Sequence, residues 1–387
     1  MKKRVAFWGI TEDILNVIRD EIDPRKVEIV AFIDSDEKKH GSLIMGVPVI
    51  SLFEIQRYSI DIYLISALRS YCLLKQVLLD AGIENDYIQP FITKDLRRYK
   101  LGDLTEMKMN FIDELYFEPE KRLKELEEYI FAWKKYSEMP SIVPNENEWN
   151  RNCSLIAHAC GGYVNGKQIM YSNSKEALLF SLDNHFNVIE CDVILDCDVL
   201  ILAHDYFRFY ESMETNYTMM SIKDILSIIK DYPDVNLLID VKWDNENDYL
   251  KSVNKIEEVV RCVCSNMIEQ KQLKNQLILE VYNESTIEIA NKLGYKMFFT
   301  QYRNECCFDV LNIAVVCGKY GISTVGIWPE YVEEVNLELL TDKGIDLFVY
   351  SSDSIAQFKY FRMKGVKGIF TNYLTEDIVN DKQVLEL

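Results

Sequence analysis

The sequence predicts an α/β protein in two parts: a small parallel-sheet domain over residues 1–94 and a (β/α)8 barrel over 151–387, joined by a helical connector over 95–150. Three observations lead there. The chain has 387 residues, more than one ordinary domain holds. Short apolar runs alternate with helical patterns from the start, which implies parallel strands wound by right-handed crossovers. Eight such runs then fall in the second stretch, at 154–158, 187–193, 237–242, 277–282, 296–300, 323–327, 345–350 and 368–371. That number in a stretch of barrel length predicts a closed barrel, whose reactive residues lie at the C-terminal ends of the strands.

The first domain opens with Arg4-Val-Ala-Phe-Trp-Gly9, an apolar run ending in glycine, followed by a helical spacing of Ile14, Val17, Ile18 and Ile22. Further runs at Glu28 to Asp34, Val47 to Ile50 and Ile60 to Ile65 complete a small sheet. The order of strand, Gly9 turn, helix and Asp34 resembles the Rossmann-like modules fused to bacterial sugar-modifying and surface-polysaccharide enzymes. The turn itself reads Gly9-Ile10-Thr11-Glu12-Asp13. It lacks the later glycines that admit a pyrophosphate, and it sets two carboxylates at the helix N-terminus. The expectation is a degenerate binding or docking module.

In the connector, Leu123, Leu126, Tyr129, Ile130 and Trp133 follow the helical period. Pro140, Pro144 and the polar run Asn145 to Asn150 then break the chain, so a boundary falls near residue 150.

The polar residues of the barrel runs carry the chemistry. The first run ends in His158, before Ala159-Cys160-Gly161-Gly162. The second holds Glu190 and Asp192, two positions apart and therefore on one face of a strand. The third repeats this spacing with Asp240 and Lys242, and the fourth carries Glu280. Between the second and third runs, Val199 to Asp205 delivers His204. Carboxylates inside buried strands require cations or partners. Oxygen ligands from Glu190, Asp192 and Asp240 suit a hard divalent ion, Mg²⁺ or Ca²⁺. Two nearby histidines then suit general base and general acid work on a phosphate ester.

In this order the motifs of residues 154–387 resemble the glycerophosphodiester phosphodiesterase family, a branch of the barrels related to phosphatidylinositol-specific phospholipase C. The opening His-Arg-Gly of the family corresponds to His158-Ala159-Cys160-Gly161, and its Asn-Thr/Ser-x-Glu-Ala-Phe to Asn173 through Leu178. Glu190-Cys-Asp-Val193, His204-Asp205, Ile239-Asp-Val-Lys242 and Gly368-Ile-Phe-Thr-Asn372 follow in sequence. The resemblance implies metal ligation by Glu190, Asp192 and Asp240, acid/base chemistry at His158 and His204, and phosphate neutralisation by Lys242. It implies cleavage of a glycerophosphodiester to glycerol phosphate and an alcohol. Asn173, Glu280 and Tyr350 are placed around the substrate, Tyr350 standing where many members have a tryptophan. For Glu280, an extra metal ligand or a buried acid paired with a cation are the other readings.

The sequence also departs from the pattern. Ala159 replaces the arginine after the first histidine, Asn372 replaces an aspartate, and Asp240 is shorter than the usual glutamate. The aromatic run Tyr206-Phe207-Arg208-Phe209-Tyr210 follows His204-Asp205. It is expected either to cap the substrate, with Arg208 standing in for the missing arginine, or simply to pack as a loop. His40 and His185 are expected to be structural, and Cys160 to be no nucleophile because the metal pattern already accounts for the site.

The formal charge of −19 disfavours nucleic acid and anionic membrane surfaces as partners. The excess sits mostly in the barrel half, where residues 152–387 hold 21 basic against 35 acidic side chains. The apolar run behind Met1-Lys2-Lys3-Arg4 is short, no membrane insertion is expected, and the ten scattered cysteines form no disulfide framework. The expectation is a cytoplasmic enzyme acting on a small-molecule phosphodiester. A lyase that stops at a cyclic phosphate and a non-catalytic metal- or phosphate-binding module in surface-polysaccharide metabolism are the alternatives.

Overall fold

A computed structural model of the chain describes residues 2–66, 71–91, 101–109, 111, 115–143, 149–151, 153–164, 167–168, 171–207, 217–300, 310–332 and 337–380. The chain divides into two compact units, Met1–Glu138 and Met139–Leu387.

The first unit is a six-stranded sheet of β1 (Lys3–Trp8), β2 (Val27–Ile33), β3 (Leu43–Ile44), β4 (Val47–Ile50), β5 (Ile62–Ile65) and β6 (Ile88–Pro90). Its order is β3-β4-β2-β1-β5-β6, parallel except for the β3–β4 pair. Four of these strands coincide with the apolar runs of the sequence. The helix Glu12–Glu21 begins where the Thr11 hydroxyl accepts from Ile14 N, which satisfies one orphan donor of the first turn. The helical period from Leu123 to Trp133 is realised in Pro119–Glu138, and another helix spans Leu101–Met109. Leu104, Met107, Leu126 and Ile130 from these helices are buried in one core with Val5, Phe7 and Leu64 of the sheet. Asp34, at the end of β2, accepts from Lys39 Nζ at 2.7 Å and Asp36 N at 2.9 Å.

The second unit is a closed barrel of eight parallel strands: β7 (Leu155–Ala157), β10 (Val188–Asp196), β12 (Asn236–Val241), β13 (Leu277–Val281), β14 (Lys296–Thr300), β15 (Thr324–Ile327), β16 (Asp346–Val349) and β17 (Gly368–Thr371). Pairing of β7 with both β17 and β10 closes the ring. All eight runs read from the sequence become barrel strands. A small hairpin of β8 (Tyr163–Val164) and β9 (Lys167–Gln168) follows β7. Strand β11 (Val199–Leu202) folds back antiparallel on the far end of β10. Alternation decides what fills the barrel. Ile156, Val188, Leu238, Ile278, Phe298, Phe348 and Phe370 form a buried apolar core together with Trp149. Two positions further along several strands the inward residue is polar instead. Gly326 on β15 has no side chain where a Cβ would come within 2.6 Å of Tyr350 and Phe298 ring atoms, so both rings fit inside.

Among the described residues no helix is long and apolar enough to cross a membrane.

Candidate active site

Strand register brings the acids together. Asp192 on β10 is level with Asp240 on β12, and Glu190 lies two residues below Asp192 on the same face. One oxygen from each of Glu190, Asp192 and Asp240 lies within 4.8 Å of the others. All three donors are carboxylate oxygens, which is the donor set of a hard divalent ion.

Their surroundings are built in detail. Glu190, only 2% exposed, accepts from the Ala159 backbone N–H at 2.6 Å. That N–H is aimed inward because Ala159 and Cys160 adopt φ of 51° and 66°, conformations that cost an L-residue about 1–2 kcal/mol each. Gly161 continues the turn at φ 106°, and a Cβ there would lie 2.5 Å from Ser181 Oγ. Asn173, 1% exposed, donates from Nδ2 to Asp192 Oδ2 at 2.8 Å and accepts from Asp192 N at 3.0 Å. The next residue, Ser174, caps the helix Lys175–Asp183, which anchors the loop. Lys242 donates to Asp192 Oδ1 at 2.8 Å and also to Asp240 Oδ2.

The charges set opposite titration directions. Burial, then the carboxylates of Asp192, Glu280 and Asp240, pushes Glu190 well above the usual carboxylate range. Burial works the same way on Asp192, but Lys242 and the two histidines outweigh it and hold that group below its ordinary value. Lys242 is held well above its ordinary value: burial opposes this, and the Asp192 and Asp240 carboxylates prevail.

His158 lies at the end of β7, 8% exposed, with Nδ1 3.2 Å from Asn372 Oδ1 at the end of β17. Burial lowers its pKa and favours the neutral ring. His204, just past β11, has Nδ1 2.8 Å from Asp205 Oδ2. The Tyr171 ring neighbours both, 5.0 Å from the His158 ring and 4.7 Å from that of His204, centroid to centroid.

Glu280 is buried outside the group of three acids. Its oxygens accept from Tyr350 Oη at 2.7 Å and Tyr282 Oη at 3.2 Å, and Tyr282 also donates to Asp240. Burial and the Asp240 carboxylate push Glu280 well above the usual range. Tyr350 bonds Thr300 Oγ1 at 2.6 Å and stacks on Phe370 at 4.1 Å. The structure thus brings His158, Asn173, Glu190, Asp192, His204, Asp240, Lys242, Glu280 and Tyr350 to one end of the barrel. Arg208 lies outside the described residues.

Burial pushes the Cys160 thiol well above its ordinary value, with Glu190 and Asp192 adding to the effect, so it is no thiolate. His40 Nε2 sits 2.8 Å from the Asp34 carbonyl, in the first unit. Three residues of the barrel site were not singled out from the sequence: Tyr171, Tyr282 and Asp353. Tyr282 was within reach of strand alternation, since it stands two residues after Glu280. Asp353, in the loop after β16, accepts from Asn372 and Thr371. Neither it nor Tyr171 lies in a periodic segment that could have marked it.

Comparison with known proteins gives two kinds of match. The family model described as C2185-like, N-terminal, matches residues 1–89. Among solved structures, the chain is similar to a glycerophosphodiester phosphodiesterase from Parabacteroides distasonis, 16% identical, over 60% of this chain and 96% of that one, with a TM-score of 0.46. A phosphodiesterase from Oleispira antarctica, in complex with the product sn-glycerol-3-phosphate, is 13% identical over 65% of this chain and 99% of that one, TM-score 0.45. A glycerophosphodiester phosphodiesterase from Thermotoga maritima is 15% identical over 57% and 95%, TM-score 0.43. No curated protein matches the chain.

Proposed function

We propose that the barrel is a metal-dependent phosphodiesterase, which hydrolyses a soluble glycerophosphodiester-like substrate to glycerol phosphate and an alcohol. The observation that carries this reading is the meeting, at the C-terminal ends of the strands, of a three-carboxylate cluster, a lysine and two histidines. Glu190, Asp192 and Asp240 would hold the ion, Mg²⁺ or Ca²⁺. The fit is supported by their all-oxygen donor set and by the burial and neighbouring carboxylates that together raise the Glu190 pKa. Such an ion supplies positive charge that withdraws electron density from the phosphoryl oxygens.

The residues of the chain do the rest. Lys242 adds a second positive charge beside the phosphate, and Asn173 holds Asp192 in place. His158 gives its Nδ1 hydrogen to Asn372, so its Nε2 lone pair accepts the proton of the attacking hydroxyl or water. His204, backed by the Asp205 carboxylate, delivers a proton from Nε2 to the leaving alcohol oxygen as the phosphorus–oxygen bond breaks. In our reading Glu280 and Tyr350 border the substrate, and the first unit serves as a binding or docking module.

The test is a panel of glycerol- and sugar-phosphate diesters incubated with Mg²⁺ or Ca²⁺, the products being followed by phosphorus NMR. Glycerol phosphate is expected, with turnover lost on chelation and in His158→Ala and His204→Ala. A stable cyclic phosphate would make the enzyme a lyase. Turnover of no diester, or full activity of His158→Ala in excess EDTA, would refute the reading.

A further inference from the structure

The seam where β17 meets β7 contains a hydrogen-bond chain that begins outside the proton-transfer groups. Asp353 Oδ1 accepts from Asn372 N at 2.7 Å and from Thr371 Oγ1 at 2.8 Å. Its other oxygen, Oδ2, accepts from Asn372 Nδ2 at 2.8 Å. Asn372 is buried, and its Oδ1 faces His158 Nδ1 at 3.2 Å.

The chemistry of these groups fixes each hydrogen in turn. A carboxylate offers no hydrogen, so the end of the Asn372 amide that faces it must be the NH₂. The amide oxygen is thereby turned towards His158. An oxygen only accepts, so the hydrogen of a neutral His158 ring must sit on Nδ1 and the lone pair on Nε2. Were the amide reversed, Nδ1 would face an NH₂, the hydrogen would move to Nε2, and the ring would have no lone pair there. Among the described residues no other hydrogen bond of the Asn372 side chain distinguishes its two ends.

We propose that Asp353 is a positioning residue: through Asn372 it sets the tautomer of His158 and so makes Nε2 the basic atom. The catalytic meaning of this rests on the proposed role of His158 as proton acceptor; the tautomer itself does not.

The test is Asp353→Asn, close to isosteric with the native side chain. The backbone N–H of Asn372 cannot turn and still requires an oxygen at the Oδ1 place. The new NH₂ therefore takes the Oδ2 place and opposes the Asn372 NH₂, which is relieved when the Asn372 amide turns over. His158 should then carry its hydrogen on Nε2. The exchanged pair Asp353→Asn with Asn372→Asp should reverse the change, because a carboxylate at 372 accepts both from the new NH₂ and from His158 Nδ1–H.

The full chain labelled with ¹⁵N histidine reports the tautomer directly in long-range proton–nitrogen correlation spectra, recorded at about pH 8, where neutral rings are read. His158 is identified by the signals lost in His158→Ala. The expected sequence is Nδ1–H in the native chain, Nε2–H in Asp353→Asn, and Nδ1–H again in the exchanged pair. Retention of Nδ1–H in Asp353→Asn, or failure of the exchanged pair to restore it in a folded protein, would overturn the proposal. Should Asp353→Asn not fold, Asp353→Ala is read instead: a mixture of tautomers supports the proposal, and a single Nδ1–H form overturns it.

On a hydrolysed diester, Asp353→Asn should lower kcat by about a hundredfold, the scale of a misplaced general base, and the exchanged pair should restore it. KM should stay within about twofold of the native value, because binding groups are untouched. If the native chain hydrolyses no diester, the phosphodiesterase reading fails while the tautomer measurement still decides this one.

Discussion

Glu190→Gln separates the electrostatics of the acidic cluster from its capacity to hold an ion. Glutamine keeps the size of the side chain and an oxygen for the Ala159 N–H. Burial and the neighbouring carboxylates favour the neutral form of Glu190, so without an ion the substitution removes little. The expected cost is within about 1 kcal/mol, the range of mutations that create neither a cavity nor an unpaired group.

With an ion the outcome differs. At a concentration about 100 times its Kd, an ion that binds only the folded chain adds about 2.7 kcal/mol. For a unit of about 150–250 residues that raises Tm by about 5–11 °C. Loss of one of three carboxylates that weakens binding about a hundredfold leaves only about 0.4 kcal/mol at the same concentration. The corresponding rise is about 1–2 °C.

The pH dependence has a definite sign. The folded-state pKa of Glu190 lies above its unfolded value, so within the interval between them the unfolded chain loses its proton first. Ion-free stability from this group is therefore present below the unfolded carboxylate range and falls as pH rises through the window above it. Glu190→Gln removes that contribution. Thermal unfolding of the full chain and the variant, in EDTA and in Mg²⁺ or Ca²⁺ across pH, measures all of this. An ion-dependent rise in Glu190→Gln equal to that of the native chain, or none in the native chain with either ion, would refute the reasoning.

Two further changes test the supporting structure. Asn173→Leu removes the partner of Asp192 Oδ2 and of the Asp192 N–H, at about 1–3 kcal/mol for each buried group, while Lys242 stays on Oδ1. It should also weaken ion binding about 10–100-fold, which calorimetric titration will read. Gly326→Ala places a methyl group against the Tyr350 and Phe298 rings and should cost about 1–3 kcal/mol in denaturant unfolding. Unaltered stability would mean that those rings do not fill the barrel as described.

The barrel was legible in the sequence because strands buried on both faces are short apolar runs, and polar residues inside such runs stand out. Glu190, Asp192, Asp240 and Lys242 were visible for that reason. The interlock of Glu280 with Tyr282 and Tyr350 was harder to see, since it depends on which strands lie side by side and how far each is staggered. Asp353 was invisible to such reasoning. It lies in a loop, and its partner Asn372 reads in the sequence as a lost acid, although in the fold a carboxylate stands one hydrogen bond further back. In the first unit β3 and β6, only two and three residues long, were too short to give a pattern.

The hairpin of β10 and β11 has a mechanical consequence. One continuous ribbon carries Glu190, Asp192 and, after its return, His204, so two carboxylates of the acidic cluster and a histidine of the site sit on a single pair of strands. Its tip, Cys197-Asp198, has φ of 44° and 70°, the two-residue turn whose twist matches that of paired strands. The places of Glu190, Asp192 and His204 are therefore set together, by one pair of strands and one turn.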